Sequence, residues 1–321
     1  MKSVQRALVT GGSGFIGNYL VERLITNNCY IRVVDNLSSG SLSNLKCWFS
    51  NPHFEFVKGE LNNLKLTLNA VKGVDVIFHL AANPEVRLSS ISPETHFQQN
   101  IVATFNLLEA TRRERNFNTF AFTSSSTIYG EASQIPTHED YALPEPISVY
   151  GASKLACEAL IAAYAHTYGF KAVIYRLANI VGSRSKHGVI NDLIQKLKKN
   201  PSELEILGDG TQTKSYLHIS DCIEALVIGI EKSKKKVEVF NVGSEDQIDV
   251  KTIAHTVVEE MKLENVKFRF TGGVAGGGGW IGDVKNMLLD ISKLKKLGWK
   301  PKLNSEEAVR KATQDLLKQN F

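Results

Sequence analysis

Eight residues near the start of the chain decide its fold, and they read Thr10-Gly11-Gly12-Ser13-Gly14-Phe15-Ile16-Gly17. The apolar residues 7–10 that lead into them are typical of a short buried strand. Residues 19–25, which follow, carry apolar side chains at helical spacing. This order predicts a strand, a tight glycine turn and a helix.

The glycines of this stretch have the spacing of a phosphate-binding turn. We expect Gly11 to make the turn, Gly14 to let the backbone approach a pyrophosphate, and Gly17 to allow close packing of helix and strand. The N–H groups at the start of the helix would hold the anion. Asp35 ends the next apolar run, where its carboxylate can accept hydrogen bonds from both ribose hydroxyls and would repel a 2′-phosphate. These residues predict a site for a dinucleotide, with NAD favoured over NADP.

Buried-strand patterns return along the chain, with helical patterns between them. We expect strands at 31–34, 74–80, 119–123 and 172–177, and helices at 101–113 and 152–166. The alternation predicts an α/β fold with a Rossmann-type, doubly wound parallel sheet. A strand-like stretch at 239–242 is expected to return to the same sheet.

The chain changes character after residue 181, where polar and glycine-rich stretches appear. We expect residues 1–181, with 218–244, to form the NAD-binding domain. Residues 182–217 and 245–321 would form a smaller α/β domain that binds the substrate. Its glycine-rich loop at 272–282 is either a permissive surface loop or a mobile lid, and the first interpretation is slightly favoured.

The composition is that of an ordinary globular protein. The 321 residues are 43% apolar and 22% charged, which excludes wholesale disorder. The net charge of +5 suits phosphorylated small molecules and is too small and scattered to indicate a nucleic-acid partner. The cysteines lie far apart, so we expect neither a disulfide framework nor a metal site. The start of the chain lacks a leader pattern and no long apolar run follows, so we expect a cytoplasmic protein without a membrane partner.

A tyrosine and a lysine stand four residues apart, Tyr150 and Lys154, so both side chains lie on one face of the helix that starts there. An adjacent ammonium and a cationic nicotinamide ring favour the phenolate and lower the pKa of a phenol. Lys154 can also hydrogen-bond the nicotinamide ribose. The hydroxyl-rich stretch 123–127 ends a predicted strand on the side where ligands bind, and a hydroxyl there can share the substrate proton with Tyr150. Together these residues predict a proton-transfer site.

With these residues the chain resembles the extended short-chain dehydrogenase/reductase family, and within it the UDP-glucose (UDP-galactose) 4-epimerases of archaeal type. The resemblance runs from about residue 7 to the end of the chain. It is carried by the glycine turn, by Asp35-Asn36-Leu37, by Ala81-Ala82-Asn83-Pro84, and by residues 122–130, 150–154, 176–182, 208–212 and 282–284.

The resemblance implies a catalytic hydroxyl at Ser125, a base at Tyr150 and an electrostatic partner at Lys154. Asn100 is expected beside the cofactor, just before the helix that begins near residue 101. The residues implied to bind NAD are Gly11, Gly14, Phe15, Ile16, Gly17, Asp35, Asn36, Ser38, Ser39, Gly40, Glu60, Leu61, Leu80, Ala81, Ala82, Asn100, Ser124, Tyr150 and Lys154.

A UDP-sugar is the implied substrate. Asn179 would bond its diphosphate, the backbone near 189–190 would meet the uracil, and Asp283 would lie near the uridine ribose. The full set implied for the substrate is Ser125, Ser126, Asn179, Val189, Ile190, Lys214 and Asp283.

The chain departs from the family pattern at three places. Glu60 stands where the family usually has Asp at the adenine, and Lys214-Ser215 replaces the common Arg-Asp pair. The basic residue normally found shortly before Gly282 is missing, and Arg184 is a candidate replacement. A lysine neutralises a diphosphate without the bidentate fork of an arginine, so weaker UDP binding is expected.

The resemblance implies that Tyr150 takes the proton of the sugar 4-OH while hydride passes from C4 to NAD, and that the rotated 4-keto sugar regains hydride on its other face. Family members that eliminate water or decarboxylate carry acidic residues close after the catalytic hydroxyl, where this chain has Ser126 and Thr127. We therefore expect 4-epimerisation of UDP-galactose and UDP-glucose.

Several alternatives stay open. UDP-N-acetylglucosamine and UDP-glucuronate are possible substrates, because Met287 would admit different C2 substituents and Arg184 could pair with a carboxylate. Outside the epimerases, the chain could be a dehydrogenase that releases NADH, or a non-catalytic NAD-binding regulator, although such regulators generally lose the Tyr/Lys pair. The helices at 101–113 and 152–166 are implied to form a homodimer contact.

Overall fold

The computed structural model describes residues 5–274 and 277–319. Within these ranges the chain forms two compact units. The first comprises the described residues up to Ser125, with Val149–Arg176 and Ile223–Phe240. The second comprises Ser126–Ser148, Leu177–Cys222 and the described residues after Phe240. Gly276, in the predicted glycine-rich loop, lies outside the described residues.

The elements alternate between strand and helix over the first half of the chain. The strands are β1 (Arg6–Thr10), β2 (Tyr30–Asp35), β3 (Phe54–Lys58), β4 (Val76–His79), β5 (Thr119–Ser125), β6 (Lys171–Leu177), β7 (Asn179–Val181), β8 (Glu203–Ile206), β9 (Thr213–Lys214), β10 (Tyr216–His218), β11 (Val237–Val242), β12 (Ile248–Asp249), β13 (Lys267–Phe270) and β14 (Asn286–Met287).

The helices are α1 (Phe15–Ile25), α2 (Leu64–Ala70), α3 (Pro93–His96), α4 (Ala103–Thr111), α5 (Val149–Tyr168), α6 (Val189–Lys199), α7 (Ile219–Lys232), α8 (Val250–Glu260), α9 (Ser292–Lys296) and α10 (Ser305–Gln319). Short 3₁₀ helices occupy Leu42–Trp48, Val86–Ser90 and Ser126–Tyr129, and a π-helical turn occupies Phe97–Val102. In the described ranges, no helix combines the length and apolar character needed to span a bilayer.

A seven-stranded parallel sheet forms the centre of the first unit, in the order β11-β6-β5-β4-β1-β2-β3. This confirms the predicted Rossmann-type fold and the return of residues 239–242 to the sheet. Central strands such as β4 are buried on both faces because helices cover both sides. Helices α4 and α5 pack against the sheet through Leu107, Leu108, Cys157 and Ile161.

The helix predicted at 101–113 begins earlier than the sequence pattern indicates. Helix α3 starts at Pro93 and runs through the π-helical turn Phe97–Val102 into α4. Asn100 therefore lies inside the helical stretch, not before it. The prediction was wrong here because the exposed Phe97 and polar Gln98 and Gln99 break the apolar spacing expected of a helix start.

The second unit is built from short sheets and three helices that share a core. Strands β7 and β10 pair in parallel, β8 pairs with β13, and β9 lies between β12 and β14. Helices α6, α8 and α10 bury apolar side chains against one another, among them Leu193, Ile253 and Ala312. This framework holds β9 and the segment that leads into β14, which carry Lys214 and Asp283, two of the residues predicted to bind the substrate.

Candidate active site

The glycine turn lies very close to the backbone of the segment that follows β4. Gly11 has φ +70°, and a Cβ there would lie 2.8 Å from the backbone nitrogen of Ala81. A Cβ on Gly17 would overlap the carbonyl oxygen of Gly11. Helix α1 begins directly after Gly14, which offers no capping side chain, so the first N–H groups of the helix face the turn without a side-chain acceptor.

Asp35 lies beside this turn at the end of β2. One of its carboxylate oxygens accepts a hydrogen bond from the Ser13 N–H at 3.0 Å, and the other accepts from the Leu37 N–H at 2.8 Å. Each oxygen has a second lone pair for a ribose hydroxyl. Asn36, Ser38, Ser39 and Gly40 form the loop that follows, and this loop folds back onto the glycine turn through a Ser41 N–H bond to the Ser13 carbonyl at 3.1 Å.

The other residues predicted to bind NAD follow the next strands of the sheet. Glu60 and Leu61 come after β3, and Leu61 is buried while Glu60 is exposed. Residues 80–82 come after β4, where the Leu80 N–H donates to the Thr10 carbonyl at 3.2 Å. Because β1 to β4 are parallel neighbours, their carboxyl ends share one edge of the sheet, and the structure brings these segments together there.

The predicted catalytic residues converge at the same edge of the sheet. Ser125 is the last residue of β5, and Tyr150 and Lys154 lie in the first turns of α5. The phenol of Tyr150 is hydrogen-bonded to the Ser125 side chain. The Lys154 ammonium is buried, donates to the Thr123 carbonyl at 2.8 Å and lies 4.7 Å from the centre of the Phe122 ring. The Tyr150 N–H donates to the Ser89 hydroxyl at 3.0 Å.

Burial reverses the pKa shift that the sequence predicts for the base. It raises the pKa of Tyr150 to about 12, and the Ser125 hydrogen bond offsets only part of that rise. Burial also lowers the pKa of Lys154 to about 8. Desolvation disfavours the charged form of both side chains, so the lysine alone does not produce a phenolate at neutral pH.

Asn100 ties the cofactor loops to the catalytic helix. Its side-chain oxygen accepts from the Asn83 N–H at 2.9 Å, and its amide nitrogen donates to the Ser153 hydroxyl at 2.8 Å. Its carbonyl accepts from the Thr104 hydroxyl at 2.6 Å. π-Helical turns are frequent at functional sites, and this one aims the amide at α5.

A buried ion pair fixes the other side of α5. Arg176 of β6 and Glu158 of α5 are both buried, and the guanidinium donates to the carboxylate at 2.8 Å. Paired charges of this kind need good geometry to offset their desolvation. The pair therefore holds the helix that carries the candidate base against the sheet.

In the second unit, two of the predicted substrate residues are bonded to each other. The Lys214 ammonium lies 2.5 Å from one carboxylate oxygen of Asp283, and the Gly279 N–H donates to the other at 3.0 Å. The same ammonium lies 5.7 Å from the centre of the Trp280 ring. An aromatic side chain two residues before Gly282 therefore lies beside the ammonium that is predicted to bind the substrate.

The remaining substrate candidates lie at strand ends and helix starts of this unit. The Asn179 amide donates to the Ser215 carbonyl at 3.2 Å. Val189 and Ile190 open α6, and Ser126 opens a short 3₁₀ helix and is buried. The sequence interpretation missed the Lys214–Asp283 pair and the contact of His96 with Tyr150, whose ring centres are 5.6 Å apart.

The sequence profile of the NAD dependent epimerase/dehydratase family matches residues 7–243. The chain belongs to this family. It is 42% identical to a UDP-galactose 4-epimerase of known crystal structure, with a TM-score of 0.87 over 99% of this chain and 100% of that one. It is 33% identical, over 95% of its length and 96% of the relative, to a Methanocaldococcus jannaschii protein that carries the provisional name UDP-glucose 4-epimerase.

Other family members differ in their reactions. A UDP-glucuronic acid 4-epimerase of Bacillus cereus, solved with NAD and UDP-glucuronic acid, is 29% identical with a TM-score of 0.87 over 99% of this chain and 100% of that one. A UDP-glucuronic acid decarboxylase of Arabidopsis thaliana is 31% identical over 97% of this chain and 69% of the relative. A trifunctional protein of the same plant, whose name includes UDP-glucose 4,6-dehydratase, is 31% identical over 98% of this chain, which spans 47% of that relative. Membership therefore makes the protein an NAD-dependent enzyme of the epimerase/dehydratase type.

The residues of the first unit fit NAD. The glycine turn carries no side chain at Gly11, Gly14 and Gly17 and leads directly into the free N–H groups of α1, and Asp35 offers a carboxylate at the end of β2. The hydroxyls of Ser13 and Ser124 are buried and have no hydrogen-bond partner among the described residues, so both are available to a ligand.

We predict that Gly11→Ala weakens NAD binding at least about tenfold, because the added Cβ would press on the Ala81 backbone and strain a left-handed φ. Gly169→Ala is the matched control, since Gly169 also has a positive φ, +88°, but no atom lies within 4 Å of the added Cβ. Isothermal titration calorimetry measures both dissociation constants. Equal affinities in the two variants would contradict the assignment of the glycine turn.

Proposed function

We propose that the enzyme interconverts UDP-galactose and UDP-glucose by 4-epimerisation, as part of galactose metabolism. One observation carries the proposal: the Ser125 hydroxyl and the Tyr150 phenol are hydrogen-bonded at a sheet edge, with the Lys154 ammonium one helical turn away. This arrangement suits removal of a proton from a sugar hydroxyl and its later return. The 42% identity to a UDP-galactose 4-epimerase supports the choice of reaction.

Each catalytic side chain has a separate task in the proposed cycle. Tyr150 takes the proton from the 4-OH of the sugar and gives it back after the keto sugar has turned over. Ser125 holds the same oxygen by a hydrogen bond, and Lys154, anchored on the Thr123 carbonyl, favours the phenolate. When bound, NAD supplies the acceptor for the C4 hydride and a positively charged ring next to the phenol. That extra charge is needed because burial otherwise keeps Tyr150 protonated at neutral pH.

The segment after Ser125 favours epimerisation over elimination or decarboxylation. Ser126 and Thr127 begin a 3₁₀ helix, and no acidic side chain occurs between Ser125 and Gly130. A reaction that expels water or carbon dioxide needs further acid–base groups at the sugar. The residues present provide one proton acceptor and one supporting hydroxyl, which is sufficient for oxidation and reduction at a single carbon.

We further propose a division of tasks between the two units. The first unit binds NAD through the glycine turn and Asp35. The second binds the nucleotide, with Asn179 at the diphosphate, the start of α6 at the uracil, and Asp283 at the ribose. Lys214 is the cation for the diphosphate, and its ion pair with Asp283 holds it in place before substrate arrives.

The direct test is incubation of the purified enzyme with UDP-galactose and NAD, with the sugar followed by NMR and reduced nicotinamide by absorbance. We expect conversion to UDP-glucose without net NADH. Parallel incubations with UDP-N-acetylglucosamine and UDP-glucuronate compare the two alternative substrates. Accumulation of NADH in proportion to sugar would indicate a dehydrogenase, and bound NAD with no conversion of any sugar would contradict the epimerase.

We predict that Tyr150→Phe lowers kcat by roughly 10²- to 10⁴-fold, because it removes the proton acceptor. NAD affinity should change little, since the aromatic ring remains. Tyr168→Phe, at the exposed end of the same helix, is the matched control and should keep full activity. Initial rates of UDP-glucose formation measure both variants. A Tyr150→Phe enzyme with an undiminished kcat would remove Tyr150 from the mechanism.

We also propose that the enzyme is a homodimer formed through α4 and α5. The outer surface of these helices and of the π-helical turn before α4 carries exposed Phe97, Phe105 and Tyr168. Phe105 and Tyr164 pack edge to face with ring centres 6.5 Å apart. Aromatic side chains on an exposed helix face are typical of a contact with a second protein surface. A second copy with the same two helices would complete a four-helix contact.

We predict that Phe105→Glu shifts the protein from dimer to monomer in analytical ultracentrifugation, because a carboxylate would be buried without a partner in the contact. Phe49→Glu is the control, since Phe49 is equally exposed, at 50% against 43% for Phe105, but lies outside both helices. A wild-type monomer, or a Phe105→Glu dimer of unchanged strength, would contradict this contact.

A further inference from the structure

His96 is the most unusual buried side chain near the candidate base. It is the last residue of α3, and its exposed fraction is 0%. Its imidazole lies near the backbone and the carboxylate of Glu85. A buried titratable side chain this close to a candidate base is itself a candidate for a functional role.

The imidazole packs against the catalytic phenol. The ring centres of His96 and Tyr150 lie 5.6 Å apart, and their planes meet at 69°, an edge-to-face arrangement. Tyr150 is thereby held at three points: its N–H by Ser89, its hydroxyl by Ser125 and its ring by His96. Of the three, the contact with His96 is the one made with the ring itself, and the Lys154 ammonium lies 5.9 Å from the centre of the same ring.

The local helix geometry explains how His96 reaches Tyr150. The π-helical turn that follows α3 carries Asn100, whose amide donates to Ser153 of α5 at 2.8 Å. His96 lies four residues before Asn100, so both side chains face α5. The hydrogen bond of Asn100 thus fixes the helix that presents His96 to the phenol.

Burial, and not the neighbouring charges, favours the neutral form of His96. Burial lowers the pKa of the imidazole, the backbone and carboxylate of Glu85 oppose that change, and the Lys154 ammonium adds to it. The Glu85 carboxylate is itself engaged by Arg87, whose guanidinium donates to it at 3.0 Å. Glu94, on the same short helix, is exposed to solvent.

We propose that neutral His96 is a positioning residue that holds the Tyr150 ring in the orientation required for proton transfer. This inference rests on the base role proposed for Tyr150. A proton on the imidazole would place a second cation near Lys154 and would draw water into the contact, so the phenol would lose its fixed orientation. Turnover should therefore fall on the acid side as His96 becomes charged.

His96→Phe tests the inference, because phenylalanine keeps a flat ring against Tyr150 but cannot take up a proton. We expect similar kcat values for this variant and the wild type near neutral pH. The ratio of variant to wild-type kcat should then rise on the acid side, as the pH is lowered below about 6.5. His96→Ala, which removes the ring, should lower kcat by roughly 10- to 100-fold with little change in KM.

His255→Phe is the matched control. His255 also contacts an aromatic ring, that of Phe268 at 4.7 Å, but it is exposed and lies in the second unit. The ratio of the kcat of His255→Phe to the kcat of the wild type should not change with pH. A flat ratio for His96→Phe as well would overturn the positioning role, even if His96→Ala proves too unstable to assay.

Thermal unfolding without substrate provides an independent readout. The folded pKa of His96 lies below its unfolded value of 6.5, so the unfolded chain binds the extra proton and stability falls as the pH drops through that range. His96→Phe lacks this penalty, and its Tm relative to wild type should rise below about pH 6.5. A pH-independent Tm difference overturns the inference whatever the substrate. A pH-dependent difference without turnover of UDP-sugars counts against the proposed function alone.

Discussion

Parallel strands end at the same edge of a sheet, and the first unit depends on that constraint. The glycine turn follows β1, Asp35 ends β2, Leu61 follows β3 closely, and Ser125 ends β5. Residues scattered over more than a hundred positions therefore meet without any long loop having to bring them together. The close approach of Gly11 to Ala81 shows how tightly neighbouring strand ends are drawn together at this edge.

Three side-chain contacts fix α5, the helix that carries the candidate base. Lys154 donates to a strand carbonyl, Glu158 pairs with Arg176, and Ser153 accepts from Asn100. These contacts anchor two successive turns of α5 to the sheet and to the π-helical turn. A proton-transfer residue benefits from such support, because small displacements of a reacting group cost large factors in rate. Burial has a second effect, since it raises the pKa of Tyr150 and lowers that of Lys154.

The sequence predicts the sheet well because buried parallel strands are short apolar runs bounded by glycine and acidic residues. It predicts the convergence of Ser125, Tyr150 and Lys154 for the same reason, since two of them share a helix face and the third ends a strand. Prediction from the sequence fails where contacts between residues distant along the chain determine the local structure or the pKa of a side chain. The π-helical turn at Asn100 has no apolar periodicity, the Lys214–Asp283 pair joins residues 69 positions apart, and the pKa of Tyr150 depends on burial that no spacing reveals.

Return of the hydride to the carbon that lost it, with inversion of that carbon and no other bond of the sugar changed, is the defining event of a 4-epimerase. The most direct measurement uses UDP-galactose that carries deuterium at C4, with the product analysed by NMR and mass spectrometry. A 4-epimerase yields UDP-glucose that retains the deuterium at C4, with none in solvent and none in free reduced cofactor. Deuterium that leaves the sugar, or a product with ordinary hydrogen at C4, would contradict the proposed function.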